Sequence, residues 1–333
     1  MSTPQHLRLE GISRWLPGLV ISSIAIALLI GLANWQEVGK ALAAIDLIWL
    51  LPALFFYLVG LNFRTLSWMT LLQKKARYGR VFLTLNQGYL LNNIFPFRLG
   101  ELGRVVLLAQ ATGISAFFVL STIVIERAYD LAIAAGLLLA TIPFALELES
   151  AQSIARIVFG LVGVGLLALF MLARYRSWVK ARLESVTVDK IILREKVFPR
   201  LMAMLDGLAV LAQPSLFLSS VSYMLCNWLF GVIEIHILLN SAGIQAPYWW
   251  SGFVLGVVSL GIALPSAPAG IGVYEVAMVG ALSLLGVPAS PALAVAIVAH
   301  LIHIGITGAI GAYALFRDGE TLPGLYQRLR GAR

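Results

Sequence analysis

The chain has little charge, one cysteine and none of the short motifs that announce a soluble enzyme. Charged residues make up 12% of its 333 residues, against 60% apolar. A soluble chain of this length needs more charge to cover its surface. Cys226 is the single cysteine and lies inside an apolar segment, so no intrachain disulfide can form. No CxxC pair and no Cys/His zinc spacing occur, so no metal site is expected. HExxH, a Walker motif and GxSxG with triad partners are also absent. That argues against zincins, P-loop ATPases and α/β-hydrolases, and no cofactor is expected.

What the sequence has instead is long apolar runs. Six exceed or approach the ~18 residues that mark a membrane-spanning helix, at 15–34, 47–72, 115–146, 154–173, 214–240 and 289–316. Arg8 and Arg14 precede the first run as in a signal peptide. The many later spans favour an uncleaved first helix. The net charge of +8 falls mainly in short loops between runs, which is the pattern of the positive-inside rule rather than of a nucleic-acid footprint.

Loop charge predicts orientation. Residues 35–46 carry Glu37, Lys40 and Asp46, whereas 73–80 hold four basic residues and no acid. Glu147 and Glu149 mark the next turn, and 174–200 hold eight basic and three acidic residues. This alternation predicts cytoplasmic termini. It also makes 174–212 a cytoplasmic loop leading into an amphipathic helix, "VFPRLMAMLDGLAVLA".

Two stretches, 82–112 and 248–286, are long enough to enter the bilayer twice, and each is broken near its middle. The count of crossings on either side is odd. A hairpin that enters and leaves on one face, followed by a full span, satisfies it. The expected fold is therefore an all-α integral membrane bundle of about six full spans plus two re-entrant hairpins; eight full spans is the alternative. The units would be 82–146 and 248–316.

The two breaks resemble each other. "FPFRLGE" places Pro96 before Gly100 and Glu101; "LPSAPAGIGVYE" places Pro265 and Pro268 before Gly270, Gly272 and Glu275. With opposite predicted orientation, they read as an inverted repeat, a transporter architecture. A helix that starts at membrane depth exposes unpaired N–H groups and a positive dipole end, which attract anions. Gly100 permits close backbone approach there. Arg98 and Arg104 add charge, and arginine suits bidentate phosphate contact. Arg64 lies about 15 Å inside its span from Lys74 and needs a partner. In "IERAYD", Glu126 and Asp130 share a helix face, Arg127 can pair with Asp130, and the cluster is expected to balance Arg98 or Arg104; Glu101 and Glu275 are expected to cap the broken helices or to pair with those arginines. Ionisable groups at membrane depth are candidate functional residues by default. Glu234 and His236 are expected to reach the outer interface. His300 and His303 share a face of the last span and are expected to bond neighbouring helices.

"NNIFPFRLGELGR", "STIVIERAYD" and "LPSAPAGIGVYE" together resemble the lysylphosphatidylglycerol synthase transmembrane family, a flippase-like domain, over about residues 12–318. In bifunctional members of that family, a cytoplasmic domain transfers an amino acid from charged tRNA to phosphatidylglycerol. The membrane domain then moves the product between leaflets. No stretch of this sequence corresponds to the synthase domain. The resemblance therefore implies a lipid transporter of a bacterial or archaeal cytoplasmic membrane, without lysyl transfer. Its cargo would be an anionic, aminoacylated or polyprenyl-phosphate-linked lipid. Two other classes stay open: a non-catalytic membrane partner of a lipid-modifying enzyme, and an integral-membrane enzyme on lipid-linked sugars with Glu101 or Asp130 as base.

Overall fold

The computed structural model describes residues 16–95, 98–145, 149–187, 195, 197–264, 266–322 and 324–325. Pro96 and Pro265, two of the expected helix breakers, lie outside these residues, as does 188–194 within the basic loop. All regular structure among the described residues is helical. Four helices are long and apolar enough to cross a bilayer: Leu50–Leu71 (α3, with its 3-10 lead-in from Leu47), Ala116–Ala145 (α6), Pro214–Ser241 (α10) and Ala289–Arg317 (α13). Two bent pairs bring the number to six where each pair counts as one span. Leu16–Leu32 (α1) turns by 87° into Trp35–Ala44 (α2), and Glu149–Arg174 (α7) turns by 71° into Arg176–Thr187 (α8). The Asn34 side chain accepts from the N–H groups of Gln36 and Glu37, capping α2 and fixing the first bend.

Between the long spans lie pairs of shorter helices. Tyr78–Ile94 (α4) and Leu99–Thr112 (α5) form one pair, Tyr248–Gly261 (α11) and Val273–Leu284 (α12) the other. At 12 to 17 residues each, they are about 18–26 Å long, short of a ~30 Å hydrocarbon core. Each pair doubles back on itself. A methyl group at Gly100 would overlap the carbonyl oxygen of Gly88, and the Gly100 N–H donates to Asn92 Oδ1 at 2.8 Å. Glycine is required there because α4 and α5 touch backbone to backbone. In the second pair, a methyl group at Gly261 would lie 2.8 Å from Ala277 Cβ.

The packing pattern repeats. In the first unit, α3 and α6 flank the α4/α5 hairpin; in the second, α10 and α13 flank α11/α12. Helix α4 packs against α13 of the other unit, and α11 packs reciprocally against α6, while α3 packs against α10. The two broken motifs thus occupy matching places in a reciprocal packing scheme.

Outside this core, α1 packs on α12 and α2 on α13. Phe198–Leu208 (α9) and the 3-10 turn Ala209–Ala212 carry the sequence read as a surface amphipathic helix. They are docked onto α6 and α7, with Leu205, Leu208, Val210 and Leu211 buried. Gly207 is pressed so closely on Ser121 and the Phe118 carbonyl that any side chain there would overlap them. At the far end of α13, Asp318 accepts from Arg80 (2.6 Å) and Gln87 (2.8 Å), tying that span to α4.

Candidate functional site: a charged cavity where the two hairpin tips meet

The tips of the hairpins face each other. Arg98, the N-cap of α5, donates from Nη2 to the carbonyl oxygen of Ile262, which follows α11, at 2.6 Å. Around this contact lies a cavity of about 420 Å³, whose wall includes Arg98, Gly100, Arg127, Ala269, Gly270 and His300. The backbone is held in uncommon conformations at both tips. Arg98 (φ 52°) and Ala269 (φ 60°) are left-handed without being glycine, at a cost of roughly 1–2 kcal/mol each. Strain of this kind persists only where surrounding contacts enforce it. Gly270 (φ 76°) and Gly272 (φ 86°) occupy the same region without penalty.

On the first unit's side, charge is concentrated around Glu126, whose side chain is 0% exposed. It accepts from Arg64 Nη2 (2.7 Å), Arg127 Nη2 (2.6 Å) and, across both oxygens, Arg104 (3.0 and 3.1 Å). Asp130 takes a two-pronged contact from Arg64 (2.6 and 3.2 Å), plus the Trp228 indole N–H (3.2 Å). Arg104 also lies over the Trp68 ring, 4.7 Å from its centroid. Three guanidinium groups on one buried carboxylate is the geometry in which a membrane-depth charge can be held.

The arginines differ in what they present. Arg104 is 3% exposed and Arg64 11%, both committed to carboxylates. Arg98 (34%) and Arg127 (30%) stand partly open to the cavity. Glu101 sits between these two, 3.4 Å from Arg127 and 3.7 Å from Arg98. The Nε atoms of Arg64, Arg104 and Arg127 find no acceptor among the described residues.

Histidine–carboxylate pairs line the second unit's side. Glu275, expected to cap its helix or pair with the arginines, accepts from the Gly272 N–H (2.7 Å), capping α12, and bonds His300 Nδ1 (2.6 Å) in place of an arginine. Its position at the start of α12, facing α13, puts it beside the histidine. Glu234, expected at the outer interface, is buried and bonds His303 Nε2 at 2.9 Å. The helix–helix bonding expected of His300 and His303 is present. Tyr57 and Tyr274 stack on the rings of His303 and His300, at 4.4 and 4.2 Å.

These two halves correspond residue by residue. Arg98 and Gly272 are the positive-φ N-caps of α5 and α12, and Glu101 and Glu275 each sit three residues later. Glu101 pairs with Arg127, and Glu275 with His300, each the twelfth residue of the following span. Asp130 and His303, the fifteenth residues, each reach back to the unit's first span, to Arg64 and Glu234. The sign of that last pair is reversed between units. Sequence reasoning matched Glu101 with Glu275 but missed Glu234, His300 and His303 as cavity residues. The i, i+3 spacing of the histidines was the available signal.

Among the described residues, no group of three His, Cys, Asp or Glu side chains is placed to hold a metal ion.

These facing short helices, closing on a charged cavity among helices long and apolar enough to span a bilayer, define a polytopic helical membrane protein. The model of the lysylphosphatidylglycerol synthase TM region matches residues 15–311, and the chain belongs to that family. It is also similar to a UPF0104 membrane protein of Methanothermobacter thermautotrophicus, with 24% identity over 307 residues, covering 87% of this chain and 90% of that one. No solved structure matches.

Proposed function

We propose that this protein moves an anionic lipid between the two leaflets of a membrane, its head group passing through the cavity between the hairpin tips. The cargo class is aminoacylated or polyprenyl-phosphate-linked lipid. The observation that carries this reading is the pair of half-open arginines, Arg98 and Arg127, on the wall of a cavity of about 420 Å³. That volume suits a head group and not its acyl chains, which would stay in the bilayer. Arg98 offers a planar donor pair suited to phosphate oxygens. Arg127, 30% exposed on the same wall, adds a second cation.

The test is leaflet exchange in reconstituted vesicles, with a tail-labelled phosphatidylglycerol and a phosphatidylcholine carrying the same tails. Faster exchange of the anionic lipid is expected. Equal rates would reduce the protein to a non-selective scramblase, and protein-free rates for both would end the reading.

Orientation follows from loop charge. The basic segment around 174–200 faces the cytoplasm, as do both termini. Reporter fusions at residue 185 should read inside and at residue 150 outside. The reverse result would invert the bundle.

A further inference from the structure

One cavity pair makes two hydrogen bonds from a single imidazole. His300 Nε2 lies 3.0 Å from the carbonyl oxygen of Ala269, and Nδ1 lies 2.6 Å from Glu275 Oε1. A backbone carbonyl can only accept, so Nε2 carries a hydrogen. The second contact needs one more hydrogen between Nδ1 and Oε1, because two bare lone pairs at 2.6 Å repel. A neutral imidazole with an ionised glutamate has only one hydrogen for these two bonds. Both bonds are satisfied together only with one extra proton on the pair. Whether it sits on nitrogen or oxygen, the pair is neutral overall, the state that a buried site favours. The other pair differs. His303 makes a single bond to Glu234, which a neutral ring satisfies by itself.

That proton also supports the fold of the hairpin tip. Through it, His300 holds Ala269, the strained residue on the cavity wall, and Glu275 caps α12 at Gly272. Loss of the proton would set the Nδ1 lone pair against a carboxylate and open the contact that anchors the tip.

We propose that His300 and Glu275 form a proton-binding site that latches the second hairpin tip, and that lipid movement is coupled to one proton taken up there. The proton site stands on hydrogen-bond geometry; the coupling rests on the function proposed above. Tyr274 on α12 stacks on His300, and Tyr57 on α3, Tyr89 on α4, Glu234 on α10, His303 on α13 and Arg98 at the opposite tip line the same cavity. No titratable side chain comes from the described part of α1, and on α11 the single one is Tyr248, stacked on His236. Glu37 of α2 meets Ser290, in the first turn of α13.

Charge gives the direction of coupling. Arg64, Arg98, Arg104 and Arg127 outnumber Glu101, Glu126 and Asp130 by one. Releasing the latch proton makes the cavity one charge more negative. An anionic head group binds the protonated form better, and by reciprocity the bound head group strengthens proton binding. Lipid and proton should travel together.

The site can be tested without transport. A fluorophore at Ile271→Cys, in a Cys226→Ser background, reports the tip environment in nanodiscs titrated from about pH 5 to about pH 9. Wild type should give one single-proton step. Glu275→Gln, whose amide N–H can donate permanently to Nδ1, should hold the low-pH signal throughout. His300→Phe should hold the high-pH signal. No step in wild type, or a wild-type step in either variant, overturns the site. In vesicles, anionic-lipid exchange should accelerate toward lower pH on the loading side, by up to about tenfold per pH unit. Glu275→Gln should be indifferent to pH. Wild-type exchange that ignores an imposed pH gradient overturns the coupling. Absence of any exchange removes the coupling together with the proposed function, and the tip titration still judges the proton site.

Discussion

Glu126→Gln should be the most destabilising single substitution in the cavity. The glutamate accepts from Arg64, Arg104 and Arg127 and is fully buried. Neutralising it leaves three guanidinium groups facing one another, with Asp130 the nearest remaining counter-charge to two of them. Breaking a buried ion pair from one side costs about 3–5 kcal/mol, a large share of the ~5–15 kcal/mol that holds a typical soluble domain together. Thermal unfolding in detergent should show a strong loss of stability and a low folded yield. The charge explanation has a specific signature. Adding Arg104→Met to Glu126→Gln removes the most deeply buried unpaired cation and leaves an apolar side chain against Trp68. The double variant should therefore be more stable than Glu126→Gln alone, because a missing buried pair is tolerated better than half of one. If the second substitution only adds damage, Glu126 matters through packing and not through charge.

Much of this arrangement was legible in the chain. The apolar runs gave the spans because a bilayer forces helices of fixed minimum length. Pro and Gly near "FPFRLGE" and "LPSAPAGIGVYE" gave the hairpins because few other residues interrupt a helix there. Arg64 could be singled out as needing a partner from depth alone. Which carboxylate would answer it could not, because Asp130 lies 66 residues away and the pairing depends on how α3 and α6 are rotated about their axes. Rotation likewise decided Glu234. Its place near a span end suggested the interface, yet its face of α10 turns inward toward His303. Arg98 and Arg104 read alike in the motif, six residues apart. The turn of α5 buries one against Trp68 and leaves the other at the tip.

Arg98 carries both a backbone role and a side-chain role, and substitutions can separate them. Its φ of 52° is costly for any residue with a Cβ, and its guanidinium crosses to the Ile262 carbonyl while staying one-third exposed to the cavity. Arg98→Gly relieves the backbone strain, about 1–2 kcal/mol, but deletes the cation. Arg98→Ala deletes the cation and keeps the strain. Arg98→Lys keeps charge and strain but loses the planar fork that can hold Ile262 and a phosphate oxygen together. If the tip only needs the backbone turn, Gly should exchange lipid at least as well as wild type, with Lys close behind. If the guanidinium reads the head group, Gly and Ala should both be inactive even though Gly is the more stable of the two. Lys should then fall by about tenfold or more, the equivalent of ~1.4 kcal/mol in one lost charge-assisted hydrogen bond. Exchange of labelled phosphatidylglycerol at matched protein density, with melting temperatures measured on the same preparations, separates the two cases. Wild-type rates in the glycine variant would reduce Arg98 to a structural residue of the turn, and leave Arg127 as the remaining half-open cation on the cavity wall.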